Sequence, residues 1–115
     1  MRSITLQAFG AFESDLNWSS SNTRVESNGK TTDMYLFNNK IATKDLATGI
    51  VQISDGDHDM SSTTKERLKP FASVYTKKGK VYCNDMQWDG NWITVSGRMA
   101  LTSSNGNTRW SARVV

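Results

Sequence analysis

The sequence predicts an α+β fold that is predominantly antiparallel β, a meander of hairpins with two short helices. Three observations predict it. Apolar and polar residues alternate at a period of two over most of the chain. Asparagine–glycine, lysine–glycine and aspartate–glycine pairs recur between the alternating runs. Helical patterning is confined to two segments, near residues 3–12 and 63–69. At 115 residues the chain is long enough for one compact domain, read as 1–115, and too short for two comfortable ones.

The first segment repeats apolar side chains at Ile4, Ala8, Ala11 and Phe12, behind Ser3 as the expected N-cap. In "NTRVESNGKTTDMYLF" an Asn28-Gly29 turn sets Val25 opposite Thr32 and Thr23 opposite Met34. A second tight turn in "YLFNNKIATK" sets Leu36 opposite Ile41. Both turns put Thr23, Val25, Met34, Leu36 and Ile41 on one buried face, leaving Tyr35 and Phe37 on the other. "IVQIS" is a fourth strand, and "ASVYTKKGKVYC" is a hairpin about Lys78-Gly79.

In "MQWDGNWITVSG" an Asp89-Gly90 turn predicts that Trp88 opposes Asn91 and Gln87 opposes Trp92. Met86, Trp88, Ile93 and Val95 then share an apolar face, with Trp92 on the other. A last hairpin sets Trp110, Ala112 and Val114 against Arg109, Ser111 and Arg113.

The stretch "DGDHDMSSTTKE" (55–66) invites a metal reading, because Asp55, Asp57, Asp59, Ser61, Thr63 and Glu66 fall on the ligand positions of an EF-hand loop. That loop needs a glycine at its sixth position and a helix on each side. Met60 and the strand-like "IVQIS" stand there instead, so no metal is expected. His58, the sole histidine, has no nucleophile placed beside it and reads as part of a solvated acidic loop. No catalytic residue and no cofactor is expected. Thr63 followed by Glu66 reads as a capping box, and Pro70 ends the helix. Leu68 is then its buried residue, with Lys65, Arg67 and Lys69 left to solvent. Thr63 and Thr64 at the helix start also suit a phosphate, in competition with the cap.

Composition narrows the function classes. No run approaches the roughly 20 apolar residues of a membrane span, so no membrane is expected as partner. The N-terminal residues lack the continuous apolar core and cleavage site of a signal peptide. Cys83 is the only cysteine and has no internal disulfide partner, which suits a reducing compartment. A net charge of +3 permits an anionic partner without resembling a basic nucleic-acid-binding tail.

Taken in order, "NTRVESNGKTTDMYLFNNKIA", "ISDG", "TTKERL" and "GKVYCNDMQWDGNWITV" resemble a family of small uncharacterised proteins from tailed bacteriophages and related viruses. The resemblance covers 22–95. It departs from the family pattern at Asp57-His58 and at Lys69, and 97–115 reads as an addition. It implies a viral origin and the host cytoplasm as compartment, and it brings no established activity.

Two readings of function follow. The first is a non-enzymatic phage accessory protein that binds a nucleic acid or nucleotide-like anion through Thr63, Thr64, Lys65, Arg67, Trp92, Arg109 and Arg113. Lys77, Lys78 and Lys80 extend the cationic surface. The alternative is a protein-binding inhibitor of a host factor, for example an anti-defence protein, with Tyr35, Phe37 and Trp92 as aromatic anchors. The same patch suits a second copy of the chain, giving a homo-oligomer. An enzyme ranks last, for want of a nucleophile, base or metal set.

Overall fold

The computed structural model describes residues 2–57 and 61–96. Among them are two helices, α1 (Ser3–Glu13) and α2 (Ser62–Leu68). The nine strands are β1 (Trp18–Ser20), β2 (Thr23–Ser27), β3 (Thr31–Leu36), β4 (Asn39–Asp45), β5 (Val51–Ile53), β6 (Val74–Lys77), β7 (Lys80–Cys83), β8 (Met86–Gln87) and β9 (Ile93–Ser96). Every pairing is antiparallel. Six strands form one sheet in the order β1-β2-β3-β4-β5-β9, and β6-β7-β8 form a second. The fold is α+β, a β meander with an N-terminal helix, as predicted. The final hairpin predicted from the sequence, with Arg109 and Arg113, lies outside the described residues, as do His58 and Asp59.

Helix α1 packs against β1, β2 and β3 and buries Thr5, Ala8, Ala11 and Phe12. Ser3 is its first residue rather than its cap; Arg2 holds the cap position, and Ser3 Oγ accepts from Gln7 Nε2. Ala8 and Phe12 meet Val25, Met34, Leu36, Ile41 and Ile53 in one apolar cluster that also includes Leu68, Val74, Cys83 and Trp88 from α2, the small sheet and the segment after it. Phe71 closes it with edge-to-face packing at 5.0 Å to both Phe9 and Phe12.

The first two turns are each displaced by one residue from the predicted position. Strand β2 pairs Val25 with Met34 and Thr23 with Leu36, so the turn centres on Gly29-Lys30. Asn28 is spent as an acceptor, its Oδ1 receiving the N–H groups of Lys30 and Thr31 at 2.8 and 2.9 Å. The register slips by two residues, an even number, so the predicted inner face survives. Next, the turn falls on Phe37-Asn38, with φ of 52° and 69°, and not on Asn38-Asn39. A bulge opposite Met34 and Tyr35 then lets Ile41 and Ala42 both face inward.

The Lys78-Gly79 hairpin forms as predicted, with Lys77 opposite Lys80. The Asp89-Gly90 hairpin does not form. Asn84-Asp85 takes the turn instead, so Met86 and Gln87 pair back onto β7, and β9 joins β5 in the other sheet. The segment 88–92 carries the chain between sheets, tied by Asp55 N–H to the Gly90 carbonyl at 2.9 Å. Trp88 is buried there, as expected, while Met86 is 72% exposed instead of sharing its face.

Candidate functional site

Helix α2 departs most from its predicted role. Its N-cap is Ser61, whose Oγ accepts from the Thr64 N–H, so the box predicted for Thr63 and Glu66 does not form. Glu66 accepts from the Arg2 backbone N–H at 2.8 Å, and that bond holds its carboxyl below its ordinary pKa. Thr64 is buried and bonded to Ser61, and Lys65 donates to Thr76 Oγ1. Thr63 is half-buried. The set expected to face an anion is therefore largely engaged in holding the helix.

Arg67 is the clearest correction. It is 2% exposed, not solvent-facing. Nε donates to Thr23 Oγ1 and Nη1 to Thr5 Oγ1, each at 2.9 Å, while Nη2 donates to Asn22 Oδ1 at 3.4 Å. Among the described residues no carboxylate lies within ion-pair distance of it. Burial pushes its pKa down. It ties α2 to α1 and to the start of β2, and the helix periodicity that assigned it to solvent carries no information about those distant hydroxyls.

Three exposed lysines gather on the β6–β7 hairpin, while Arg2, Lys30, Lys40 and Lys69 are exposed singly on other elements. Lys77, Lys78 and Lys80 are exposed around its turn, and Lys77 lies directly opposite Lys80. Two residues along each strand, hence on the same face, stand Tyr75 and Tyr82. Their rings stack at 5.3 Å with an interplanar angle of 11°. Gln87, opposite Tyr82 on β8, extends that face to the third strand. Tyr75 Oη donates to Asp85 Oδ1 at 2.9 Å, which orients the ring and raises the phenol's pKa. Cys83 lies on the inner face, where burial pushes its thiol up. Sequence reasoning passed over the tyrosines. Their signal is the mirror spacing Tyr-x-Lys on either side of Lys78-Gly79.

The aromatic anchors of the alternative reading separate. Tyr35 is half-buried beneath Arg24, whose guanidinium carbon stands 4.1 Å from the ring centre, so it forms no open apolar patch. Helix α1 packs on the opposite face of the sheet. Phe37 and Trp92 are exposed, at 59% and 45%. They line two separate clefts on either side of the β3–β4 turn, Phe37 with Asn38 and Trp92 with Asn39 and Lys40.

Asp55 and Asp57 sit at the Trp92 cleft, where Asp55 Oδ1 accepts from the Asp57 N–H. Among the described residues no cluster of acidic, histidine or cysteine side chains is grouped to hold a metal. No helix among them is long and apolar enough to cross a membrane.

A family model described as Kyanoviridae Gp96 protein matches residues 1–108. The chain belongs to that family of small phage proteins. The match runs past 97, so most of the segment read as an addition is family sequence, while Arg109 and Arg113 fall beyond it. No curated protein and no solved structure matches the chain.

Proposed function

We propose that this phage protein is a non-enzymatic accessory factor that binds single-stranded nucleic acid in the host cytoplasm, on the outer face of β6-β7-β8. One observation carries the reading: Lys77 and Lys80 stand directly opposite each other beside a stacked pair of tyrosines. Like charges directly opposite on a hairpin are destabilising, and Lys78 in the turn adds a third. A polyanion relieves that repulsion and releases counterions as it binds. Tyrosine faces and Gln87 beside the lysines offer stacking and hydrogen bonding to unpaired bases.

A second reading, a host protein held by aromatic anchors, is favoured by the exposure of Trp92 and Phe37. Binding to short single- and double-stranded DNA and RNA, measured at low and moderate salt, tests the first. Single strands should bind more tightly than duplexes. No binding at low salt, where attraction to phosphates is strongest, sinks it and leaves the protein partner.

A further inference from the structure

Thr23 and Asn22 form a short polar chain with the buried Arg67 charge at its inner end and a surface cleft at its outer end. The cleft, about 500 Å³, lies between the β1–β2 and β3–β4 turns, and its lining includes Ser19, Ser21, Asn22, Arg24, Phe37 and Asn38. Arginine only donates, so it fixes the direction of every bond that follows. Thr23 Oγ1 accepts from Arg67 Nε and donates onward to Asn22 Oδ1 at 2.7 Å. Arg67 Nη2 donates to the same oxygen. With Oδ1 taken by two donors, the group Asn22 has left to offer the cleft is its amide N–H₂.

Charge points the same way. Among the described residues no carboxylate reaches Arg67 at ion-pair distance, and Glu66 acts on it only from farther off, so a cation without a direct ion pair backs the floor of the cleft. A buried charge without a counter-ion gains most from one placed nearby in a low dielectric. Ser19 and Ser21 add hydroxyls at the wall. Arg24 contributes less, because Glu26 takes its Nε at 2.7 Å and Asn38 Oδ1 its Nη1. Phe37 supplies an exposed flat apolar face in the same cleft. We propose that this cleft binds a small anion joined to a planar ring, of the nucleoside monophosphate type, with the anionic group at the Asn22 amide and the ring on Phe37. It uses no residue of the β6–β7 face and stands apart from the function proposed for that face.

Titration with inorganic phosphate and with adenosine monophosphate, followed by backbone amide chemical shifts, tests it. Shifts should cluster at 19–24 and 37–38, with the nucleotide binding more tightly than phosphate. Asn22→Asp gives Arg67 a carboxylate and turns the floor of the cleft negative. It should raise the melting temperature and weaken both ligands by roughly tenfold or more. Phe37→Ala, at an exposed turn position, should weaken the nucleotide alone, and it keeps the test open if Asn22→Asp fails to fold. No shifts at about 10 mM ligand, a weak range that such a site should exceed, would overturn the proposal. Equal affinity for phosphate and nucleotide, or unchanged nucleotide affinity in either variant, overturns it as well.

Discussion

Arg67 Nε lies 2.9 Å from Thr23 Oγ1, a bond between residues 44 positions apart that fastens α2 to the first core strand. Truncating the arginine leaves a cavity and the hydroxyls of Thr5 and Thr23 without their donor. Arg67→Ala should therefore lower the unfolding free energy by roughly 3 kcal/mol. Arg67→Met, which fills the volume without the charge, should recover much of that loss. Urea denaturation measures both. A change in Arg67→Ala of under about 0.5 kcal/mol, typical of a surface site, would contradict the buried placement.

Trp88 and Trp92 should respond oppositely to truncation. Trp88 is 7% exposed, and its Nε1 donates to the Asn91 carbonyl at 2.8 Å. Trp88→Ala should cost roughly 3–5 kcal/mol as a core deletion. Trp92→Ala should stay within about 1 kcal/mol of wild type. Thermal melts of the pair decide it, and equal losses would place both rings in the core.

Sequence patterning suffices where a misplaced turn leaves the parity of the strands unchanged. Inside-versus-outside parity along β2 and β3 was legible because each turn error moved the register by an even number or was absorbed at the bulge. The Lys78-Gly79 turn was legible because no competing turn residues flank it. Asn28-Gly29 misled because Asn28 serves the turn better as a side-chain acceptor than as a left-handed residue. Asp89-Gly90 misled because Asn84-Asp85 reverses the chain first. Helix α2 is too short for its periodicity to separate a buried arginine from an exposed one. Its partners, Thr5, Asn22 and Thr23, come from distant segments that local patterning does not connect. The tyrosine pair was within reach of the sequence, since the correctly placed hairpin sets Tyr75 opposite Tyr82.

Asp15 should make stability fall with acid. Lys44 Nζ lies 2.8 Å from its carboxylate and also donates to the Phe12 and Glu13 carbonyls at the end of α1. The bond from Lys44, followed by that from the Thr32 hydroxyl, holds the Asp15 carboxyl below its ordinary pKa. As pH falls, the unfolded chain takes up this proton before the folded one does. The contribution is therefore complete above the unfolded value of about 4, and it is lost as pH falls through the lower folded value. Asp15→Asn keeps a residue that tolerates the left-handed backbone there and removes the titration. Urea midpoints should drop more steeply for wild type than for Asp15→Asn between about pH 5 and pH 2. Parallel curves would dissociate Asp15 from the effect.

The lysines of the β6–β7 turn should carry the salt dependence of nucleic-acid binding. Replacing Lys77, Lys78 and Lys80 with glutamine removes three exposed charges, two of them in mutual repulsion, so folding should be unchanged or slightly firmer. Each phosphate that no longer meets a lysine should flatten the dependence of log affinity on log salt by about 0.7 for a single strand. The triple variant should thus bind weakly at every salt concentration and with a shallower slope. Tyr82→Ala should act differently, weakening binding by roughly 1–3 kcal/mol with the slope nearly unchanged, because stacking is insensitive to counterions. Fluorescence anisotropy with short labelled strands separates the two signatures. If the triple variant keeps the wild-type slope, the phosphates lie elsewhere on the protein. If Tyr82→Ala binds as tightly as wild type, the stacked pair is a structural feature of the hairpin and the bases do not rest on it.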